Sequence, residues 1–297
     1  MQAMQDIIRK AEVLIEALPY IQRFRDKIIV VKFGGSAMEA KTHHDGILKD
    51  VAFMECVGMR PVIVHGGGKA ISRAMKEEGI EAQFVRGLRV TCAQTIAVVD
   101  RVMHFDINPG IVRALEDFGA PAEGLRGQDI FTVTRKQGKD SQTGEAIDWG
   151  FVGEPEKVNV QPILDVIARG RIPVITPLGM GSDGQPYNVN ADTAAAAVAK
   201  ALKAAKLVIL SDVPGLLRDP KDETSILSTL RVDEVGKLIE QGVIDGGMLP
   251  KVESGVDALL AGVGKIHMVD GRMPHSLLLE IFTPNGVGTE IIANEEN

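Results

Sequence analysis

Cysteine is nearly absent. Cys56 and Cys92 are the only two in 297 residues, too few for a disulfide framework or, by themselves, for a four-ligand zinc site. Aromatic residues are scarce as well, at 4% with a single tryptophan, so the core has to be built from aliphatic side chains, alanine and glycine. No apolar run approaches the roughly 20 residues that span a bilayer, which argues against a membrane protein. The opening segment MQAMQDIIRK has no signal-peptide apolar region, and the expected location is the cytoplasm. Basic residues are in deficit. Lys and Arg number 33 against 40 Asp and Glu, a net charge of −7, which argues against a general nucleic-acid surface. Anionic ligands would have to be met by a few locally concentrated cations. What remains, 45% hydrophobic and 25% charged residues, is the balance of an ordered globular chain. Its length suits one large domain or two small ones.

The chain repeats a rhythm of strand, glycine turn and helix. Ile28–Val31 is an apolar, β-branched run leading to Lys32-Phe33-Gly34-Gly35-Ser36, and Pro61–Val64 leads to His65-Gly66-Gly67-Gly68. Ile172–Ile175, Leu207–Leu210 and Lys265–Val269 have the same character. Short apolar runs bounded by turns suit strands buried on both faces of a mainly parallel sheet. Between them lie helical patterns: Ile47, Val51 and Met54; Ile71, Ala74 and Met75; a long one from Ile96 to Ile111, with a bend expected at Pro109-Gly110; and the Ala-rich stretch Ala191–Ala205. The alternation predicts an α/β sandwich.

Two segments break the rhythm. Residues 126–160 contain Phe131–Thr134, a polar stretch over 136–148, and Trp149–Gly153, which predict an inserted β-hairpin or small meander. Residues 6–18 place Ile7, Ala11, Leu14, Ile15 and Leu18 at helical spacing, with Asp6 as N-cap and Pro19 as the stop. This helix precedes the first strand and has no earlier element to pack on. Its partner is therefore either its own domain or another subunit. A soft boundary falls at residues 183–190, which are rich in turn formers.

The two glycine turns carry the chemistry. Glycine lets backbone approach a ligand closely, and amides at a helix N-terminus favour phosphate. Neither turn is a Walker A loop: Ile63 stands where its first Gly would be and Ala70 where its Ser or Thr would be. Each alone also reads as a tight turn packing helix on strand. Two at successive strand ends favour a ligand, because open α/β sheets bind there. Lys32 reads either as a snorkelling amine or as the cation facing that ligand. Asp192 reads as a helix N-terminal acid, Lys251 as a solvated helix residue and Arg89 as a loop arginine. Alone, these residues reach only a phosphate-binding α/β enzyme.

Their order goes further. Lys32–Ser36, His65–Gly68, Gly87-Leu88-Arg89-Val90-Thr91, Asn188-Val189-Asn190-Ala191-Asp192, Leu210–Leu216 and Gly246–Lys251 resemble the amino-acid kinase superfamily. The Arg-Val-Thr and Asn-Val-Asn-Ala-Asp elements resemble its N-acetyl-L-glutamate kinase branch. The resemblance runs from about residue 7 to residue 292. It implies a three-layer αβα sandwich with a mainly parallel central sheet, an N-terminal helix and an inserted β-hairpin. It also implies phosphoryl transfer from ATP, carried with Mg2+, to N-acetyl-L-glutamate. Lys32 and Lys251 would neutralise the transferring group, with Asp192 orienting both. The amides of Gly35 and Gly68 would hold phosphate, Gly67, Gly68, Arg89 and Asn188 the acceptor, and Gly34, Gly35, Asp212, Val213, Gly215, Leu216 and Leu217 the nucleotide. No protein metal cage is implied. The same motifs leave room for another acceptor, such as aspartate, carbamate or an amino-protected aminoadipate, and for a non-catalytic sensor of arginine or nucleotide.

The tail, His267–Arg272, His275–Thr283 and Gly286–Thr289, resembles the arginine-inhibited members. It implies a homohexamer, a trimer of dimers joined by residues 1–25, with L-arginine bound near Tyr20, Lys206, His267 and Glu280. Residues 26–185 would form the acceptor lobe and 186–297 the ATP lobe.

Overall fold

The computed structural model describes residues 2–38, 40–139, 145–219, 221–283 and 286–294. Among the described residues, the β-branched runs form one sheet of eight strands: β1 (Ile28–Phe33), β2 (Arg60–His65), β3 (Ala122–Leu125), β4 (Ile172–Ile175), β5 (Lys206–Ser211), β6 (Thr229–Arg231), β7 (Ile266–Asp270) and β8 (Thr289–Ile292). Their order is β6-β8-β7-β5-β1-β2-β4-β3. Only β7 and β8 run antiparallel to each other; all other neighbours are parallel. Parallel strands need covering on both faces, and the alternation along β1 shows how. Ile29, Val31 and Phe33 pack under α2 (Lys41–Cys56), α5 (Asn108–Asp117) and α10 (Ser276–Phe282). Val30 faces the other layer, built by α6 (Gln161–Ala168), α7 (Ala191–Ala201), α8 (Val235–Glu240) and α9 (Leu249–Leu260). This is the three-layer sandwich expected from the sequence.

The central strand positions the site. β1 pairs with β2 on one side and with β5, far along the chain, on the other. The carboxyl end of β1 is thus a topological switch point, where α/β sheets open a crevice.

Four local expectations need correction. α1 (Gln2–Phe24) starts upstream of Asp6, which is therefore not its N-cap, and continues through Pro19. Pro19 removes one helical hydrogen bond, but tertiary packing carries the helix past it. The Tyr20 ring meets Phe282 edge-on at 6.3 Å, and Phe24 is buried in the core. The side chains of Asp6 and Ile7 lie outside the described ones. Second, the long helix is not one regular α-helix. α4 (Ala93–Arg101) passes through a π-helical segment, Val102–Ile107, directly into α5. Pro109 stands in the first turn of α5, where its missing N–H costs little. Third, the insertion is more than a hairpin. Strands Phe131–Arg135 and Val152–Val158 close a four-stranded barrel with Leu178–Gly181 and Pro186–Val189, so residues 183–185 are the turn of a barrel hairpin. Trp149 and Gly150 precede the strand rather than begin it. In the polar stretch Gly138–Lys139 pairs with Ala146–Ile147; residues 140–144 lie outside the described ones. Fourth, α7 ends at Ala201, because Lys203 takes a left-handed conformation (φ 47°) and the Ala204 N–H donates back to Ala199, a Schellman ending. Among the described residues no helix is long and apolar enough to cross a membrane.

Candidate active site

Phe33 and His65 are register partners at the ends of β1 and β2, so the two glycine turns lie side by side. The Gly66 N–H donates to the Phe33 carbonyl at 2.7 Å, and a Cβ on Gly66 would sit 3.5 Å from the Gly34 Cα. Gly35 has φ +69°, the left-handed region that favours glycine. Gly67 precedes α3 (Gly68–Glu77), and a Cβ there would overlap Ile107 Cδ1 at 2.6 Å. The turns border a cleft of about 660 Å³, lined also by Lys32, Arg89, Asn188 and Asp192. That size suits a small-molecule site.

Asp192 sits between two lysines. The Lys32 Nζ is 3.0 Å from its Oδ1, and the Lys251 Nζ donates to Oδ2 at 2.8 Å. Lys32 also donates to the Leu210 carbonyl at 3.1 Å. Three elements supply the trio: the end of β1, the first turn of α7 and the first turn of α9. The Asn-Val-Asn-Ala-Asp spacing explains its precision. Asn188 lies in a barrel strand and lines the cleft, while the Asn190 side chain caps α7 by accepting from the Asp192 and Thr193 amides. Burial pulls the Lys32 ammonium below the ordinary lysine range, against the pull of Asp192. Burial pushes Asp192 up, but the two lysines together hold it below the usual carboxylate value. With two cations around one anion, the cluster carries a net positive charge at the strand end.

Arg89 comes from a tight hairpin, Phe84–Val85 and Leu88–Arg89. The turn residues Arg86 and Gly87 both have positive φ (52° and 76°), the geometry that two-residue hairpins need. Its guanidinium lies over the Phe84 ring at 4.6 Å and donates to the Gly68 carbonyl and Ser72 Oγ, both at 2.8 Å. Among the described residues no carboxylate pairs with it. A buried, unpaired guanidinium beside a cleft fits an anionic ligand group.

His65 and Asn108 were not singled out from the sequence as site residues. His65 is fully buried beneath the second turn. Its Nδ1 is 2.9 Å from the Gly66 carbonyl, which only accepts, so Nδ1 carries the proton. Its Nε2 accepts from Asn108 Nδ2 at 3.2 Å, and Asn108 Nδ2 also donates to the Val174 carbonyl at 2.8 Å. Burial lowers the His65 pKa to about 4. The unfolded chain therefore binds a proton at this residue between its ordinary value, 6.5, and about 4, where the folded chain does not. Stability from this group is complete above pH 6.5 and falls as pH drops toward 4, by about 3 kcal/mol in all. Urea unfolding at pH 7 and pH 4.5 should show that loss, and a His65→Asn variant should show a smaller one. Equal losses in the two proteins count against a buried neutral ring.

The remaining sequence candidates fall into two groups. Asp212 to Leu217 follow β5 but do not line the cleft. Asp212 is exposed and close enough to act on Lys32 electrostatically. Leu216 and Leu217 turn into the core, and the Leu216 N–H donates to Thr289 Oγ1 at 2.8 Å. Lys206, His267 and Glu280 do converge, away from the cleft. Glu280 Oε1 is 3.1 Å from the Lys206 Nζ and 2.6 Å from His267 Nδ1, and Oε2 accepts from the Val287 N–H. Tyr20 is linked to them through its ring contact with Phe282. Among the described residues no group of His, Cys, Asp and Glu is placed to hold a metal.

Comparison with known proteins is consistent across the chain. Residues 27–270 match the model of the amino acid kinase family. The acetylglutamate kinase of Akkermansia muciniphila is 47% identical over 291 residues, 97% of each chain. Among solved structures, an N-acetylglutamate synthase from Neisseria gonorrhoeae, complexed with coenzyme A and N-acetyl-glutamate, superposes with a TM-score of 0.82 at 28% identity. The match covers 97% of this chain but 64% of the synthase. The same synthase complexed with coenzyme A and L-arginine gives a TM-score of 0.78 at 26% identity.

Proposed function

The chain belongs to the amino acid kinase family and, within it, to the acetylglutamate kinases, and from that premise we propose how its cleft transfers the γ-phosphoryl group of ATP to the side-chain carboxylate of N-acetyl-L-glutamate, a step of arginine biosynthesis. A free carboxylate has a pKa near 4.3 and is already a nucleophile at neutral pH, so no general base is needed. The task is to hold two anions together and stabilise charge spread over the transferring group.

The observation that carries this reading is Asp192 bridging Lys32 and Lys251 beside the paired glycine turns. The two ammonium groups stand ready to take the γ-phosphoryl oxygens from two sides, and Asp192 keeps them apart and aimed. Gly34, Gly35 and Gly68 offer amides to phosphate. The Asp212–Leu217 loop offers the nucleotide its backbone, with the side chains of Asp212 and Val213, because Leu216 and Leu217 face the core. Magnesium would arrive on the ATP phosphates. We place this step in the cytoplasm. Purified protein with Mg-ATP should form an acyl phosphate on N-acetyl-L-glutamate, trapped as its hydroxamate. Equal use of glutamate, aspartate or carbamate in the same assay would reassign the acceptor, and no ADP release with any acceptor would favour a sensor.

Arg89 takes an acceptor carboxylate in this reading, with Asn188 at the acceptor's other polar end. Arg89→Lys should then raise KM for N-acetyl-L-glutamate by about 10-fold or more, because a point charge cannot reproduce a bidentate fork. An unchanged KM removes Arg89 from the site.

L-arginine is proposed as the inhibitor, bound where Glu280 and Lys206 meet beside the end of α1. The chemistry of Glu280 supports this, as does the likeness to a synthase solved with L-arginine. The exposed apolar side chains of α1, Ile8, Val13, Leu14, Ile15 and Leu18, support a homohexamer in which these helices join dimers.

A further inference from the structure

The mechanism above leaves one buried cluster unused, His65 with Asn108. It lies under the second glycine turn and spans three strand ends. His65 closes β2, Val174 lies in β4, and Asn108 Oδ1 fills the space above Gly124 of β3, where a Cβ would come within 2.1 Å of it. Every proton in the chain is determined. Asn108 Nδ2 has two acceptors around it, so the amide has one orientation, and His65 must accept at Nε2 and donate at Nδ1.

The end of that relay is the Gly66 carbonyl. In a trans peptide the next N–H points the opposite way. The His65 ring is buried with no exposed surface, so a carbonyl held toward it turns the Gly67 N–H outward. Gly66 is also held at its own N–H by Phe33, and Gly67 lines the cleft.

Resting on the kinase reading above, we propose that His65 and Asn108 are a positioning pair: they lock the Gly66–Gly67 peptide so that the Gly67 N–H, with the first amides of α3, faces the reacting groups. Neither side chain touches substrate. Their effect is preorganisation of a donor whose value is greatest when charge develops.

Two variants separate the relay's ends. In His65→Asn the side-chain amide reaches the position of Nδ1 and keeps the bond to Gly66. In His65→Gln the amide reaches the position of Nε2, keeps Asn108 and loses Gly66. His65→Gln should lower kcat by about 10- to 10²-fold with both KM values within about threefold of wild type, and His65→Asn should recover most of that loss. Equal kcat in the two variants, or a loss matched by the unfolded fraction in a melting curve, overturns the proposal and leaves His65 a core residue. A measurement on the unaltered protein stands independently of variant folding. With ¹⁵N-labelled histidine, one ring should stay neutral and Nδ1-protonated from pH 5 to 8. A set of rings that all titrate, or no Nδ1-protonated ring, overturns the pairing. Wild-type protein inactive toward N-acetyl-L-glutamate would overturn the kinase reading instead, with the histidine spectrum unaffected.

Discussion

Lys251→Ala should lower kcat about 10²- to 10³-fold, equivalent to roughly 3–4 kcal/mol of transition-state stabilisation, while KM for both substrates changes little. The Lys251 Nζ is held by Asp192 at 2.8 Å and belongs to a trio whose net charge is positive. Such a cation gains most when charge spreads over the transferring phosphoryl group, so its removal appears in turnover rather than in ground-state binding. Lys32→Ala should lower kcat comparably but also destabilise the fold. The side chains of Lys32 and Asp192 are each 6% exposed, against 17% for Lys251. Removing Lys32 leaves Asp192 its Lys251 partner but takes the cation from its buried Oδ1, at a cost of about 1–3 kcal/mol. The contrast is measurable: both variants lose kcat, and Lys32→Ala also loses denaturation midpoint. A change confined to KM in Lys251→Ala would assign the lysine to substrate binding and remove the charge argument.

The legible part of this molecule was the part encoded locally. β-branched runs such as Ile28–Val31 announce buried parallel strands because burial on both faces demands them. Paired glycines announce turns because glycine takes positive φ and fits where a Cβ would clash, as Gly35 (φ +69°) and Gly67, whose Cβ would lie 2.6 Å from Ile107 Cδ1, show. What was not legible depends on distant partners. Pro19 reads as a helix stop until Phe282, far along the chain, packs on Tyr20. Leu216 and Leu217 read as nucleotide contacts from motif position alone, while their side chains pack in the core and the Leu216 N–H donates to Thr289. Asn108 carried no signal at all, since its role exists only where three strand ends meet. Asn190 had a signal that was available, a helix cap two residues before Asp192, and this is what sets the acid between its lysines.

Deleting residues 1–20 should abolish arginine inhibition and reduce the assembly to dimers while leaving most of kcat. Ile8, Val13, Leu14, Ile15 and Leu18 are exposed on α1, Leu14 and Ile15 at 68% and 67%. Each apolar side chain of this kind gains about 1.5–3 kcal/mol when fully covered, so a helix carrying several has a strong incentive to pair. The deletion also removes Tyr20, whose contact with Phe282 ties α1 to α10, the helix that carries Glu280. Glu280 is 3% exposed and already held by Lys206, His267 and the Val287 amide. Burial pushes its carboxyl up, but His267 and Lys206 hold it below the usual range, so it is an anion at neutral pH. In the proposed site an incoming guanidinium would take over part of that coordination, beside the α1–α10 contact. In the proposed inhibited state arginine binding and the helix junction would thus be coupled, arginine shifting activity only by preferring the less active arrangement. Glu280→Gln keeps the shape and removes the anion. It should raise the arginine needed for half-inhibition by about 10-fold or more with the oligomer unchanged by sedimentation. Should the full-length protein sediment as a dimer and keep its activity in millimolar arginine, the junction has no regulatory role.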